Sequence, residues 1–168
     1  MRGGWRQRAH TTLKKAAAML ARKAGQLVRE EPRPFAGSNR RPDFEAVGAG
    51  GARTLVDVGL VVAGPGAYEG RKVATYRPHL EEDMVFYPVC FDVFGRAGPS
   101  AERWLSLVAR SLGEALGFHR AAALRSARLV IASSVGGAVA NALVENRARL
   151  AVTQPHIIAA ARARERNT

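Results

Sequence analysis

Apolar residues near the start of the chain recur at steps of three and four, which is the spacing of one face of an amphipathic helix. Glu30 and Glu31 follow this stripe, and Pro32 does not continue a helix. The sequence therefore predicts a first helix that ends near Glu31, followed by a loop from Pro32 to Asn39. The apolar stripe consists of Leu13, Ala17, Leu20, Ala24, Leu27 and Val28.

A β-hairpin is predicted next, because two strand-like runs flank a cluster of glycines. The first run is Arg41–Val47. The second is Arg53–Val62, which is apolar on both faces and therefore typical of a sheet interior. If the five residues Gly48–Ala52 form the loop, Val47 pairs with Arg53, whereas a loop of four residues would shift the pairing by one position.

The segment after the hairpin contains a mixed polar stretch and another apolar run. The stretch Tyr68–Asp83 predicts a helix, and Met84–Phe94 predicts a buried strand closed by Gly95. Pro88 lies inside this strand and has no N–H to donate to a ladder. We therefore expect the strand to lie at a sheet edge or to be irregular at the proline.

Two helical regions complete the chain. Ser100 is a suitable cap for the first, which stops at Gly117. The second runs from His119 towards Leu150 and is weakened at Gly136-Gly137. The order helix, hairpin, helix, strand, helices predicts an α/β (α+β) fold, with a small mixed sheet and its hairpin flanked by helices and a helical C-terminal part.

Length and composition indicate one globular domain. We expect a single domain over residues 10–150, a basic tail over 1–9 and an Arg-rich tail over 151–168. The lone Cys90 excludes an intramolecular disulfide, and the four histidines show no metal-ligand spacing. The longest apolar run, Thr54–Val62, is about half of a membrane span, so no membrane partner is expected.

Charge gives the first indication of function. Lys and Arg number 26 against 14 Asp and Glu, a net charge of +12. This excess favours a polyanionic partner, nucleic acid before membrane, because counterions are released when phosphates are bound. A GC-rich coding sequence is an alternative source of the arginines. We expect a nuclear or cytoplasmic protein, and the acid-poor start is also compatible with a mitochondrial transit peptide.

Asp57 stands in the apolar run Leu55–Val58, where an ionised carboxylate is costly to bury without a partner. With the five-residue loop, Asp43 lies directly opposite, and the two carboxylates repel. A divalent cation would relieve both penalties, and Glu31 could add a third carboxylate. The alternatives are an Asp57 bonded to backbone or to an arginine, an Asp43 that is an ordinary turn residue, and a solvated Glu31.

Lys72 and Tyr76 are four residues apart and therefore lie on one face of the predicted helix. A lysine beside carboxylates that hold a metal could orient the attacking water and stabilise the transition state of phosphodiester cleavage. Tyr76 could hold a phosphate or assist proton transfer. Either residue taken singly is also compatible with a plain surface role.

These segments together resemble a known domain. The residues that carry the resemblance are Arg41-Pro42-Asp43, Leu55-Val56-Asp57-Val58, Lys72, Tyr76, Tyr87-Pro88-Val89, Gly95 and Asn141-Ala142. They resemble the restriction-like endonuclease domain that follows the reverse transcriptase in some non-long-terminal-repeat retrotransposons, which belongs to the PD-(D/E)XK nuclease-like fold. The resemblance spans roughly Glu31 to Leu150.

The resemblance implies roles for five residues. Asp43 and Asp57 are the implied metal ligands, and Glu31 is the implied helix-borne acid of the wider nuclease fold. Lys72 is the implied catalytic lysine, and Tyr76 matches the tyrosine that follows it. The implied cofactor is Mg²⁺ or Mn²⁺. The implied partner is DNA, or an RNA–DNA hybrid, with a reverse transcriptase that is encoded separately or lost.

Two further expectations accompany the resemblance. Many nucleases of this fold carry a lysine two positions after the second acid, where this chain has Gly59, so here the lysine must come from the helix, as in the retrotransposon domain. Arginines would hold the nucleic-acid backbone, and the candidates are Arg41, Arg71, Arg103, Arg120, Arg125 and Arg128.

The function expected from the sequence is that of a divalent-metal-dependent DNA endonuclease domain of retroelement origin. In an intact element, such a domain nicks target DNA so that reverse transcription is primed there. One alternative is a non-catalytic, basic nucleic-acid-binding protein, including a degenerate nuclease that still binds DNA. Another is an architectural protein whose carboxylates serve folding.

Overall fold

Four strands form one mixed sheet. They are β1 (Leu27–Glu30), β2 (Phe44–Val47), β3 (Arg53–Val61) and β4 (Met84–Asp92), and they lie side by side in that order. β2 is antiparallel to both β1 and β3, whereas β3 and β4 are parallel. The computed structural model describes residues 4–35, 38–48, 50–62 and 64–165, with side chains of the last helix up to Val144.

Four helices cover the sheet, and they are α1 (Gly4–Lys23), α2 (Pro65–Tyr76), α3 (Pro99–Leu116) and α4 (Arg120–Glu165). A 3₁₀ turn, Arg77–His79, follows α2. The helix α2 is the crossover that a parallel strand pair requires. The larger core cluster joins α1, α3 and α4 to the sheet. A smaller cluster joins the end of α2 to residues of β3 and β4. The predicted fold class, a small mixed sheet flanked by helices with a helical C-terminal part, is confirmed.

The predicted hairpin register is also confirmed. Val47 pairs with Arg53 across a loop of five residues, and Phe44 pairs with Val56. β3 lies in the sheet interior, as its apolar faces predicted, and β4 lies at the edge, as Pro88 predicted. Successive side chains along β3 point to opposite faces of the sheet, so neighbouring residues belong to different core clusters. Val56 and Val58 belong to the larger core cluster, and Leu55 belongs to the smaller one, together with Tyr76 of α2.

The first helix is shorter than its apolar stripe predicted. It ends at Lys23, and Gly25 adopts a φ of 78°, which is readily available to glycine and reverses the chain. Leu27 and Val28, assigned to the helix by their spacing, begin the edge strand β1 instead. Glu31 therefore follows a strand, with a φ of 48°, and does not end a helix.

Both predicted tails contain helix. Residues 4–9 form the first turns of α1, and Ala9 among them packs into the core with 1% of its surface exposed. Residues 1–3 and 166–168 lie outside the described part of the chain. At the other end α4 continues through Gly136-Gly137 to Glu165. By length and composition its segment Arg120–Val144 could cross a membrane, although Ala127 and Ile131 within it are buried in the core.

The start of α3 is capped from another helix. Gly98, not Ser100, is the capping position, and Ser100 lies within the first turn. The Glu69 carboxylate on α2 accepts hydrogen bonds from the backbone N–H groups of Ser100 at 2.8 Å and Ala101 at 3.0 Å. A third bond comes from Cys90 of β4 at 3.4 Å. This buried carboxylate satisfies two of the orphan donors at the helix start and ties α2, α3 and β4 together.

The replacement Glu69→Gln should destabilise the fold by about 1–3 kcal/mol, because a buried amide puts a donor where an oxygen now accepts and removes a charge from the helix start. Urea unfolding followed by circular dichroism measures the change. Glu82→Gln serves as the control, since Glu82 is exposed in the turn before β4, and it should change stability by less than about 0.5 kcal/mol. Equal effects of the two substitutions would contradict the capping role.

Candidate active site

The antiparallel ladder between β2 and β3 stops halfway along β3. β2 pairs only with Arg53–Val56, so among the described residues no strand pairs with Asp57–Val61 on that side. The first turns of α1 and the middle of α2 flank this open strand edge. A cleft of about 510 Å³ lies between them. It is lined by Trp5, Arg6, Gln7, His10, Tyr68, Lys72, Val93 and the segment 57–62.

The two acids meet where the ladder stops. Asp43 directly precedes β2, and continuation of the Phe44–Val56 pairing places it opposite Asp57. The Asp43 Oδ2 atom accepts a hydrogen bond from the backbone N–H of Val58 at 2.7 Å. The Asp43 carboxylate thus takes the place of the next strand residue, and its charge contributes to raising the pKa of Asp57. The register predicted from the loop length accounts for this juxtaposition.

Asp57 is the more buried of the two acids. Its side chain is 7% exposed, and burial raises its pKa above the ordinary value. A hydrogen bond from Lys72 lowers the pKa in part, while the nearby charge of Asp43 raises it further. Lys72 therefore offsets the cost of burying Asp57 only in part. A cation placed between the two carboxylates would relieve that cost.

Lys72 points from α2 to the acids. Its Nζ donates a hydrogen bond to Asp57 Oδ2 at 2.8 Å, so the partner of Asp57 is a lysine rather than the backbone or an arginine. Burial lowers the pKa of Lys72, but the bond and the charge of Asp57 outweigh burial and raise it. The ammonium group therefore stays charged. It also lies 5.6 Å from the centroid of the Tyr68 ring.

Tyr76 lies one helical turn beyond Lys72 and is buried. Its hydroxyl donates to the carbonyl of Arg41 at 3.0 Å, and its ring stacks on Phe86 with centroids 4.3 Å apart. Burial and the charge of Asp57 raise its pKa far above the ordinary value. The phenol therefore stays protonated at neutral pH and can donate a hydrogen bond but cannot act as a base.

Gly59 lets α2 lie close enough for Lys72 to reach Asp57. A Cβ atom at this position would lie 2.7 Å from the Sγ of Cys90 and 2.9 Å from the Tyr68 ring, both closer than real Cβ contacts. The Tyr68 ring occupies the space that a side chain at position 59 would need. The lysine of this site therefore approaches from the helix, as the sequence predicted.

His10 is the site residue that the sequence analysis did not select. Its Nε2 atom lies 3.1 Å from Asp43 Oδ2, and this hydrogen bond raises its pKa although burial opposes the shift. The helix α1 brings His10 to the cleft. A weak signal existed in the sequence, since His10 lies one turn from Lys14 on the face that meets the sheet. Nothing in its spacing pointed to Asp43, which is 33 residues away.

Glu31 does not join the acid pair in the way the sequence predicted. Its side chain is 64% exposed and accepts a hydrogen bond from Lys14 Nζ at 2.9 Å. Its backbone N–H donates to the carbonyl of Asp43 at 2.9 Å, so the chain passes close to the site while the carboxylate engages α1. The physical reason is the strand β1, which replaced the predicted helix end.

The six arginines expected to hold nucleic acid are all exposed. Arg41 and Arg71 lie beside Asp43 and Lys72 in the chain, and the Arg71 guanidinium lies 5.4 Å from the Tyr68 ring. The other four are on α3 and α4, outside the cleft lining given above, and they are Arg103, Arg120, Arg125 and Arg128. One of these is paired, since Arg128 donates to Glu102 at 2.6 Å.

A metal site of three or more His, Cys, Asp or Glu side chains is absent from the part of the chain that the structure describes. The acid pair is a smaller set. Mg²⁺ commonly binds through one or two carboxylates, keeps several waters and takes its remaining ligands from substrate phosphates. The hard oxygen donors of the half-buried Asp43 and the buried Asp57 fit that pattern.

The replacement Gly59→Ala should destabilise the fold by about 1–3 kcal/mol, because the added methyl group overlaps Tyr68 and Cys90 and pushes α2 from the sheet. Urea unfolding measures the change. Gly70→Ala is the matched control on α2, where a Cβ atom meets nothing within 4 Å. It should stabilise the protein by up to about 1 kcal/mol, because alanine is the better helix former. A neutral Gly59→Ala would show that the close approach is not required.

Comparison with known proteins adds no family assignment. No family model matches the chain, and no match is found among curated proteins. The resemblance to the retrotransposon endonuclease domain therefore stays a prediction that depends on the residues of this sequence. The fold class and the geometry of the cleft are independent of it.

Proposed function

We propose that this protein is a divalent-metal-dependent DNA endonuclease domain of the restriction-like type. The observation that carries the proposal is the meeting of three charged groups in one cleft. Asp43 and Asp57 lie opposite each other at the end of a ladder, and Lys72 donates to Asp57 at 2.8 Å. Two acids can hold a divalent ion and a lysine beside them can stabilise developing negative charge, and metal-assisted phosphodiester hydrolysis uses both functions.

The proposed cofactor is Mg²⁺ or Mn²⁺, held by Asp43 and Asp57, with the backbone carbonyl of Val58 as a further oxygen ligand. When bound, the ion supplies Lewis-acid activation of water and of the phosphoryl oxygen. The position of Asp57 supports this assignment, because burial raises its pKa and the charge of Asp43 adds to the shift, and a bound cation would favour the ionised carboxylates.

Lys72 would serve the scissile phosphate, and Tyr76 would support the segment that carries Asp43. The Lys72 ammonium stays charged and can orient the attacking water and stabilise the negative charge that develops on phosphorus-bound oxygens. The Tyr76 phenol stays protonated, so it cannot take a proton from water, and its one hydrogen is donated to the carbonyl of Arg41. Because Tyr76 is buried and lies outside the cleft lining, its role would be to position the segment that carries Asp43 rather than to hold a phosphate.

The charge of the protein supports a nucleic-acid substrate. The net charge is +12, and Arg71 lies next to Lys72 on α2. Exposed arginines of α3 and α4 would hold phosphates farther from the cleft. The retroelement origin, nicking for target-primed reverse transcription and a separately encoded reverse transcriptase belong to this proposal. A nuclear or cytoplasmic location would follow from such a substrate.

A second candidate is a non-catalytic nucleic-acid-binding protein. The observation that favours it is the ion pair of Lys72 with Asp57, which gives the buried acid a protein partner. In that case the carboxylates would serve the fold, and only the basic surface would be functional. The two candidates differ in one measurable property, which is metal-dependent strand cleavage.

The replacement Asp57→Asn should reduce Mg²⁺- or Mn²⁺-dependent nicking of supercoiled plasmid by about 100-fold or more, because it removes a metal ligand and charge stabilisation of the transition state while keeping the shape of the side chain. Affinity for DNA in the presence of chelator should stay within about twofold. Gel electrophoresis of the plasmid measures nicking, and circular dichroism verifies that the variant folds.

Asp83→Asn is the matched control, because this acid is half exposed and lies near Arg53, outside the cleft lining. It should nick like the wild type. Nicking by Asp57→Asn at the wild-type rate would overturn the assignment of the site. Binding without any nicking by the wild-type protein, in either metal, would favour the non-catalytic candidate.

A further inference from the structure

An aromatic side chain with an arginine beside it stands on the α1 wall of the cleft. Trp5 lies in the first turn of α1, is half-buried and lines the cleft. The Arg6 guanidinium lies 5.7 Å from the centroid of its ring, and Arg6 lines the same cleft. Trp5 also lines a second cleft, of about 410 Å³, between α1 and α4. Its side chain therefore forms the ridge between two concave surfaces.

A second pair of an aromatic ring and an arginine lies just after the end of β4. Phe94 lies in the turn after β4, next to the cleft residue Val93, and is 81% exposed. The Arg96 guanidinium lies 6.0 Å from the Phe94 ring. So large an exposed aromatic surface has no role in the core. The α1 wall of the cleft thus carries an aromatic ring beside a guanidinium group, and a second such pair lies next to the cleft lining, beyond Val93.

The floor between these walls is the open edge of β3 with the acid pair and Lys72. Its size is also informative, because about 510 Å³ is within the range of roughly 300–1,000 Å³ of sites that enclose a small-molecule-sized ligand. A nucleotide or two fits such a space. The bases of a closed duplex are paired and stacked inside the helix, so they do not enter it.

We propose that the cleft takes an unpaired nucleic-acid strand, with a base stacked on Trp5 and a neighbouring base on Phe94. Arg6 and Arg71 would contact phosphates of that strand as it passes the acid pair. This inference rests on the proposed function and names the form of its substrate, a single-stranded or locally opened segment rather than an intact duplex. Stacking on aromatic side chains requires an exposed base face, which an unpaired strand offers and a closed duplex does not.

A nucleic-acid strand fits the cleft better than a peptide added to the edge of β3. Peptide addition would use the backbone of the strand and pockets for alternate side chains. The walls instead offer rings and guanidinium groups, which suit bases and phosphates. The lining residues Arg6 and Lys72 add positive charge on both sides of the edge.

Intrinsic fluorescence tests the proposal directly. Trp5 and Trp104 are the two tryptophans of the chain, and Trp104 is 1% exposed, so a change of emission on ligand addition reports on Trp5. A 12-nucleotide single-stranded DNA, its RNA counterpart and the matching DNA duplex are titrated into the full chain with chelator present. We expect single strands to quench the emission, and the duplex to quench it weakly.

Affinities come from the anisotropy of labelled oligonucleotides. Trp5→Ala should weaken single-strand binding by about tenfold and change duplex binding by less than about twofold, whereas Trp5→Phe, which keeps a ring, should bind within a few-fold of the wild type. Phe118→Ala is the matched control, since Phe118 is 56% exposed in the turn between α3 and α4 and lines neither cleft. It should bind both forms normally.

Three results would overturn the proposal. They are tighter binding of the duplex than of either single strand, no quenching of Trp5 fluorescence, and an equal loss of affinity for single strands and duplex in Trp5→Ala. Preference for single-stranded DNA or RNA over duplex, with loss in Trp5→Ala alone, supports it. The chelator prevents cleavage, so failure here is distinct from failure of the endonuclease proposal, which depends on metal-dependent nicking by the wild type and its loss in Asp57→Asn.

Discussion

The structure depends on how one buried carboxylate is accommodated. Asp57 lies in the interior strand β3 between apolar neighbours, where a buried charge is unfavourable unless a partner compensates it. The Nζ atom of Lys72, on the crossover helix α2, compensates the charge by donating a hydrogen bond to Asp57 Oδ2 at 2.8 Å. That contact requires α2 to lie directly on the sheet, and Gly59 is the residue that permits it. The close packing of α2 on the sheet and the Lys72–Asp57 ion pair therefore both depend on Gly59.

The same region is left open rather than sealed. Asp43 ends the ladder by accepting the N–H of Val58, so the rest of β3 keeps an unpaired edge facing the cleft. An architectural protein gains nothing from such an opening, since unpaired strand edges invite wrong association. A charged pair beside an open edge and a cleft is the arrangement expected of a binding site. This weighs against a purely structural role for the carboxylates.

Local patterns predicted much of this arrangement. The loop length fixed the register that brings Asp43 opposite Asp57, the isolated charge in an apolar strand singled out Asp57, and four-residue spacing placed Lys72 and Tyr76 on one face. Contacts distant in sequence escaped prediction. Glu69 caps a helix that begins 30 residues later, and the stripe of α1 ran on into β1 because helical spacing alone does not reveal the stop at Gly25.

Net charge has to be reconciled with an acidic site, because two carboxylates repel the phosphate they would cleave. In this chain Asp57 lines a cleft that Arg6 and Lys72 also line, and the exposed Arg71 lies next to Lys72 on α2, in a protein with a net charge of +12. Positive groups around the cleft attract a phosphate backbone, and the two acids favour a metal cation over the phosphate itself. The excess of arginine and the acid pair, which look contradictory in the sequence, are therefore complementary.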